Sequence, residues 1–458
     1  MTTQDSTLWF SRLSDSAQIT NNNGFASSYS QDRARIIHSA SFRRLQAKTQ
    51  VLGLGDSDFY RTRLTHSMEV AQIGSGICEG LKNKYKNQNY ENFIPDLHLI
   101  ESICLAHDLG HPAFGHGGEI ALNYCMKDNG GFKGNGQTLR IVTKLGEFHD
   151  HYGLNLTRRT LLGLVKYPAI YSNVHNSEID RFSSKDSINL DAYKPPKCIH
   201  SEETEILSWI LAPFNKQDRE NFQAIQKCSI EYDADKDNRN DIKHHKTKYK
   251  SFDTSIMELA DDIAYGIHDL EDAIALNLVT KQLWQEKIQT LLDEKITYEN
   301  LKTLNIDSIQ SLTNMLFEPG KKPRKHAISK LVRLMVTSIY INENTVFQNE
   351  LLRLQAVLPP NLKEILNDLK GFVYETVIQA PEVQLLEYKG QIIVLKLFET
   401  LKSNPSRLLP KNIYDLYLQE NFSDRVICDY IAGMTDNYAT KMYQKLFIPT
   451  IGSVFDRL

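Results

Sequence analysis

The sequence predicts a mainly α-helical protein, and three observations support this fold class. Apolar residues recur at spacings of three and four along most periodic stretches, which is the pattern of a helix with one buried face. Alternation of apolar and polar residues, the pattern of a half-buried strand, is rare. The 458 residues are 41% hydrophobic and 24% charged, so the chain can bury a sizeable core.

The clearest helical periodicity lies in four stretches along the chain: residues 67–81, 98–106, 255–276 and 328–341. A further apolar stretch, residues 388–401, fits a buried helix about as well as a short strand. The motifs described below divide the chain into three predicted regions: an N-terminal segment at 1–58, a core at 59–275 and a C-terminal helical region at 276–458.

Composition excludes several classes of protein. The formal net charge of −3 gives no general attraction to nucleic acid or membranes. No apolar run approaches the length of a membrane span, and the N-terminus lacks the pattern of a secretory signal. The six cysteines form no CxxC pair and are expected to be reduced thiols. We therefore expect a cytoplasmic protein with no membrane partner.

Four residues have the side chains of a metal site, in the order H…HD…D: His66, His107, Asp108 and Asp261. The adjacent pair closes an apolar helical stretch, and a Gly-rich turn follows it. Two imidazoles and two carboxylates suit one divalent cation that keeps open positions for water or a phosphate oxygen. This donor set favours Mn²⁺, Fe²⁺ or Ni²⁺ over Mg²⁺, although Mg²⁺ remains open. The pattern indicates hydrolysis of phosphate esters.

Several residues near these ligands carry matching chemistry. His116 lies just before a predicted helix and Glu119 three residues later, so the carboxylate can orient the imidazole and raise its proton affinity. Arg63 is predicted to share a helical face with His66 and to neutralise phosphate. At i, i+4 and i+8 of another helix, one wall is predicted to consist of Asp261, Tyr265 and Asp269.

The motifs resemble those of HD-domain metal phosphohydrolases. In particular, the chain is similar to the deoxynucleoside-triphosphate triphosphohydrolases of the bacterial dGTPase type, which are related to the vertebrate SAM-and-HD-domain dNTP hydrolase. The matching runs are RRLQAKTQV (43–51), RTRLTHSMEV (61–70), HDLGHPAFGHGGE (107–119), FKGNGQTLRI (132–141), NLTRRTLLGLVKYP (155–168) and ELADDIAYGIHDLEDAI (258–274). The resemblance implies a helical HD phosphohydrolase core with a C-terminal helical extension, in which no further motif is matched.

The resemblance also implies roles for individual residues. The four metal ligands are as above, and His116 with Glu119 would be the catalytic pair. Gln50 would contact the deoxyribose 3′-hydroxyl. The remaining substrate contacts would be Arg63, Asn135, Lys166, Tyr167, Tyr265 and Asp269. One departure from the family pattern is clear, because the usual FEGNAQ is FKGNGQ here, with Lys133 and Gly136.

The implied reaction is attack of water at the α-phosphorus of a dNTP, dGTP among them, which releases a deoxynucleoside and inorganic triphosphate. By the same resemblance we expect a homo-oligomer, either a tetramer or a hexamer. Two alternatives remain. One is an HD phosphohydrolase acting on a nucleoside monophosphate or signalling nucleotide. The other is a non-catalytic, nucleic-acid-binding regulator, supported only by the basic cluster KKPRK at 321–325.

Overall fold

The structure is a computed structural model that describes residues 8–14, 27–48, 50, 61–182, 190–228 and 243–449. The prediction of a mainly α protein is confirmed. The helices of the first half are α1 Ser28–His38, α2 Ala40–Arg44, α3 Arg63–Lys84, α4 Leu97–Ala106, α5 Gly115–Met126, α6 Gly134–Arg140, α7 Arg158–Leu164, α8 Tyr171–Val174, α9 Thr204–Leu211, α10 Lys216–Phe222, α11 Phe252–Ile263 and α12 Asp269–Ala275.

The second half is also helical. Its helices are α13 Lys281–Trp284, α14 Thr290–Lys295, α15 Tyr298–Leu304, α16 Ile309–Phe317, α17 Lys321–Ser338, α18 Glu350–Arg353, α19 Pro360–Val373, α20 Pro381–Ser403, α21 Pro405–Leu408, α22 Lys411–Gln419, α23 Asp424–Ala432 and α24 Asp436–Phe447. Two short antiparallel pairs join strands β1 Ile225–Gln226 to β2 Lys246–Thr247, and β3 Tyr340–Glu343 to β4 Leu354–Val357. Within the described parts of the chain, no helix is both long and apolar enough for a membrane span.

The main core forms where α3, α4, α7 and α11 pack against one another. Glycines allow the closest approaches between these helices. A Cβ on Gly74 of α3 would lie 2.8 Å from the Cys104 sulfur, and one on Gly163 of α7 would lie 2.2 Å from Ile103. Because even a Cβ atom would not fit at these two positions, glycine there allows the helices to pack at short separations. The close packing brings residues distant in sequence to one end of α4.

Capping fixes where the two ligand-bearing helices begin and end. The Thr62 side chain accepts from the Thr65 backbone N–H, and the Thr65 side-chain oxygen accepts from the Thr62 backbone N–H, so α3 starts at Arg63. Asp96 caps α4 by accepting from the His98 backbone N–H. Since α4 ends at Ala106, His107 is its C-terminal flanking residue, as the sequence predicts.

The helix predicted through residues 255–276 is present but contains a π-helical turn, which corrects the predicted phasing of its side chains. α11 ends at Ile263, the π-helical turn Ala264–His268 follows, and α12 begins at Asp269. A π-turn holds an extra residue, so the i, i+4, i+8 phasing of Asp261, Tyr265 and Asp269 is not that of one continuous α-helix. Periodicity alone does not reveal such a turn, because the apolar positions on either side remain at helical spacings.

The C-terminal region covers the start of α5. Residues 388–401 lie in α20, so the helical alternative for this stretch is correct. A Cβ on Gly390 would lie 2.3 Å from the Phe114 Cβ, which places α20 directly against the residue preceding α5. The Phe114 backbone N–H donates to Asp436 Oδ1 over 2.9 Å. A second apolar cluster fills this junction between α5, α20, α23 and α24. The C-terminal helices therefore hold the Gly-rich turn after His107.

Candidate active site

Three of the four predicted metal ligands converge on one point. One donor atom each of His66, His107 and Asp261 lies within 4.8 Å of the others. His66 Nε2 is 3.2 Å from Asp261 Oδ1, and His107 Nε2 is 3.7 Å from the same oxygen. Both histidines are buried. The ends of α3, α4 and α11 thus meet at a single donor cluster.

The orientation of His107 suits a metal ligand. Its Nδ1 lies 2.6 Å from the Cys104 carbonyl oxygen, which can only accept, so Nδ1 carries the hydrogen. Its Nε2 is buried and has no hydrogen-bond partner among the described residues. Burial lowers the pKa of His107, but the charge of Asp108 and the contact with Asp261 outweigh it and raise that pKa to about 9. A cation binding at Nε2 would therefore displace a proton.

Asp108 lies beside the cluster and contacts Arg63 and two histidines. Its Oδ1 is 3.3 Å from His107 Nε2 and 3.0 Å from His111 Nδ1, and its Oδ2 accepts from Arg63 Nη1 over 2.8 Å. Burial raises the pKa of Asp108, but the charges of His111, His107 and Arg63 outweigh it and hold the pKa well below the usual range. This carboxylate therefore remains ionised beside the three converging donors.

Lys166 contacts the other side of the cluster. Its Nζ is 3.4 Å from Asp261 Oδ2 and 3.7 Å from Glu258 Oε1. Burial alone lowers the pKa of Lys166, but the charge of Asp261 outweighs it, and the pKa rises above its ordinary value. Arg63 and Lys166 thus place permanent positive charge on either side of the predicted metal ligands.

Further lysines gather around Tyr167. Lys197 Nζ is 5.6 Å and Lys250 Nζ is 5.9 Å from the centre of the Tyr167 ring. Desolvation and the charges of Lys250 and Lys166 lower the pKa of Lys197. Because Lys197 and Lys250 come from irregular segments far apart in sequence, no local pattern pointed to them.

His116 and Glu119 lie together on α5. His116 is in the first turn of the helix rather than before it, and its side chain is 68% exposed. Its Nδ1 is 3.5 Å from Oε2 of Glu119, which is almost fully buried. The ring centre of His116 is 6.1 Å from that of His111. His111 lies between Asp108 and His116. It was not among the predicted site residues, although it stands in the same HDLGH run.

The structure describes the other predicted substrate-contacting residues in different degrees of detail. Asp269 is buried, with Oδ1 3.8 Å from Arg61 Nη1, and burial raises the pKa of Asp269 to about 7. Burial and the nearby charge of Asp269 raise the pKa of Tyr265 to about 12. Asn135 is half-buried in the first turn of α6. Gln50 has a buried Oε1 without a partner among the described residues. Its neighbours, Thr49 and residues 51–60, lie outside those residues.

Comparisons with known proteins agree with this geometry. The HD domain family matches residues 63–167, and a phosphohydrolase-associated domain matches residues 356–445. A deoxyguanosinetriphosphate triphosphohydrolase-like protein of Shewanella loihica is 48% identical over 98% of this chain and 99% of its own length. The chain belongs to this family. Proteins of the same description from Shewanella pealeana and Aliivibrio fischeri are 48% and 46% identical over 95% and 96% of the chain, and over 95% and 97% of their own lengths.

Membership in the dGTPase-like HD family makes this chain a hydrolase with a divalent-metal site. His66 and His107 of the donor cluster lie inside the HD match, and Asp261 lies beyond it. The associated domain covers α20, α23 and most of α24, the helices that hold the Gly-rich turn. No motif is recognisable in that part of the sequence, because a region that supports a site by packing carries apolar periodicity and no chemical signature.

Proposed function

We propose that this protein hydrolyses deoxynucleoside triphosphates to deoxynucleosides and inorganic triphosphate. The observation that carries the proposal is the distribution of positive charge around the donor cluster. Arg63 contacts Asp108 and Lys166 contacts Asp261. Lys197 and Lys250 lie near the Tyr167 ring, and Lys250 shares the Glu258 carboxylate with Lys166. A triphosphate carries roughly four negative charges, so it uses this many cationic groups, whereas a monophosphate does not.

The donor set fits a divalent cation, because His107 presents a buried, unpartnered Nε2 to two carboxylates. We propose His66, His107, Asp108 and Asp261 as the ligands, with Mn²⁺ or Mg²⁺ as the cation and Fe²⁺ or Ni²⁺ also compatible. When bound, the cation would polarise the α-phosphate as a Lewis acid. The catalytic protein groups and the phosphate-binding groups act around it.

Arg63 is prepared to bind phosphate. One of its terminal nitrogens holds Asp108, while its Nε is buried and has no partner among the described residues. A buried guanidinium nitrogen without an acceptor costs free energy, which a phosphate oxygen would recover. Lys166 supplies a second permanent charge. Both groups bind and orient the triphosphate as it leaves the 5′-oxygen.

His116 is the proposed acid or base. Because Nδ1 faces Glu119, its Nε2 is the ring atom left to exchange a proton with the attacking water or the leaving 5′-oxygen. The large exposure of His116 lets it reach a substrate at the surface of the cluster. By the family resemblance, Gln50 and Tyr265 contact the sugar, with Asn135, Tyr167 and Asp269 as further substrate contacts.

The experiment incubates purified protein with Mn²⁺ and each of the four dNTPs, with GTP and dGMP as comparison substrates, and separates products by ion-exchange chromatography. We expect deoxynucleoside and triphosphate from at least one dNTP, and at least about 100-fold lower kcat/KM for GTP than for dGTP. Asp108→Ala should lose both bound metal and activity. Release of orthophosphate from dGMP alone would favour the monophosphate alternative. The homo-oligomer, tetramer or hexamer, is tested by light scattering on the same sample.

The nucleic-acid-binding alternative receives less support from the basic cluster at 321–325. These residues begin α17. Within the cluster, Lys325 pairs with the buried carboxylate of Glu271, and Arg324 donates to the Leu316 carbonyl oxygen. Those two side chains are already used in contacts within the protein.

A further inference from the structure

The carboxylate of Glu119 is shared by more groups than the predicted His116 pair. Its Oε1 accepts from the Gly134 backbone N–H over 2.7 Å, and its Oε2 lies 2.7 Å from Lys133 Nζ. His116 Nδ1 lies 3.5 Å from that same Oε2, beyond hydrogen-bond distance for a strong contact. Lys133 is therefore the nearer partner of the oxygen that is expected to orient His116.

Lys133 is held in place by its backbone. Its N–H donates to Nε2 of the fully buried His200 over 3.3 Å. His200 fits there because residue 136 is glycine. A Cβ at that position would lie 2.7 Å from His200 Cδ2 and 3.0 Å from Nε2. The two departures from the usual family motif, Lys133 and Gly136, thus form one arrangement that directs the lysine at Glu119.

We propose that Lys133 is a positioning residue that sets the proton affinity of His116 by sharing the Glu119 carboxylate. The proposal rests on the proposed function only in giving His116 a catalytic role. A free Glu119 would stabilise the imidazolium form strongly. An ammonium group on the same oxygen neutralises part of that charge and also repels a proton on the imidazole. Both effects act in the same direction and weaken proton binding by His116.

Other charged groups face this pair but do not replace Lys133. His111, on the turn before α5, lies beside the His116 ring. From α20, the backbone and Cγ of Glu387 lie against Gly117. From residues 198–200, the Cys198 thiol and the neutral ring of His200 approach Glu119 and Lys133. Burial raises the pKa of Glu119, but the charge of Lys133 and the contact with His116 lower it by more. The pKa therefore lies well below its usual range, and the carboxylate stays ionised.

The test measures the pKa of His116 directly, without relying on turnover. Protein with [¹³Cε1]-histidine is loaded with Mg²⁺ and titrated by NMR, and the His116 signal is identified by its loss in His116→Ala. Lys133→Met should raise the pKa of His116 by about half a unit to one unit. Lys133→Gln, which keeps a hydrogen-bond donor without the charge, should give the same rise. Lys133→Arg should restore the wild-type value.

The matched control is Lys396→Met, which removes an exposed lysine paired with Glu399 on the surface of α20. It should leave the His116 titration unchanged. In an active enzyme, the limb of the kcat/KM profile that His116 sets should move to higher pH in Lys133→Met by the same amount. An unchanged His116 pKa in both Lys133→Met and Lys133→Gln would overturn the proposal. If no dNTP is hydrolysed by wild type, the proposed function fails while the NMR titration still decides the role of Lys133.

Discussion

Arg63 Nη1 donates to Asp108 Oδ2 over 2.8 Å, while the other oxygen of that carboxylate lies 3.3 Å from His107 Nε2. One carboxylate therefore joins a proposed metal ligand to a proposed phosphate-binding group. Both side chains are buried, so neither charge is well solvated without the other. The arrangement ties substrate binding to the donor cluster through a single contact.

Arg63→Ala should lower kcat/KM for the best dNTP by about 10²–10³-fold, because it removes a preorganised donor and leaves Asp108 without its charged partner. Arg63→Lys keeps the charge but loses the planar guanidinium group, so its kcat/KM should lie between those of wild type and Arg63→Ala. Steady-state kinetics at saturating Mn²⁺ checks this. The control is Arg33→Ala, which removes a partly exposed arginine paired with Glu101 and should leave kinetics unchanged. Equal kinetics for Arg63→Ala and wild type would remove Arg63 from substrate binding.

His116→Ala should lower kcat by about 10²–10⁴-fold while the protein still binds metal and dNTP. Glu119→Gln should lower kcat by a smaller factor, because Glu119 orients the imidazole and does not itself transfer the proton. The double variant should resemble His116→Ala, since groups acting as a unit are non-additive. Single-turnover kinetics with metal analysis of each variant provides the measurement. A near wild-type kcat for His116→Ala at saturating substrate would exclude the pair from the chemical step.

Lys48 should make stability depend on pH. Its buried Nζ donates to the carbonyl oxygens of His111 and Ala432 over 2.6 and 3.0 Å. Burial and the charges of Arg63 and Arg44 lower the pKa of Lys48 to about 7, whereas in the unfolded chain it is about 10.4. Between these values the unfolded chain binds more protons than the folded protein. Raising the pH through this window therefore favours folding by about 1 kcal/mol per pH unit from this group.

Lys48→Met lacks this titration and serves as the comparison. The thermal unfolding midpoint of wild type relative to Lys48→Met should increase between pH 7 and pH 9.5. Below about pH 7 the difference should become independent of pH, since Lys48 is then protonated in both states. A difference that stays constant from pH 7 to pH 9.5 would mean that Lys48 keeps its charge in the folded protein.

Gly136→Ala should destabilise this protein although the related family motif carries alanine there. The new Cβ would meet His200, and overpacking of this kind costs about 1–3 kcal/mol. In a His200→Ala background the same substitution should cost less, because the ring is absent and only the contact with the backbone nitrogen of residue 200, at 3.0 Å, remains. A double-mutant cycle on the free energy of unfolding measures the coupling. Additive effects of the two substitutions would show that Gly136 is not required by His200.

The donor cluster could be predicted from the sequence because its residues lie on, or at the end of, helices with apolar faces. His66 and Asp261 fall on apolar helical faces, and His107 closes a third apolar helix. Helices that bury such faces must pack together, so polar side chains at their ends meet. The mainly α class and the helix ending before His107 followed from the same periodicity.

Other features could not be read from local patterns. The π-turn at 264–268 changes the phase of the helix without changing its composition. Whether Lys133 contacts Glu119 depends on how α6 approaches α5. Packing against His200 sets that approach, together with hydrogen bonds between α6 and α23, such as the one that Gln137 Nε2 donates to Asp429 Oδ1. The convergence of Lys197 and Lys250 on Tyr167 likewise arises from the path of irregular segments. Their separation in sequence carries no information about their distance in space.

Hydrolysis at the α-phosphorus can be distinguished from attack at other atoms by isotope tracing. The protein is incubated with dGTP and Mn²⁺ in H₂¹⁸O, and the products are analysed by mass spectrometry. We expect unlabelled deoxyguanosine and inorganic triphosphate that carries one ¹⁸O from water. Formation of dGMP or dGDP with labelled pyrophosphate or orthophosphate, or ¹⁸O in the 5′-hydroxyl of deoxyguanosine, would contradict it.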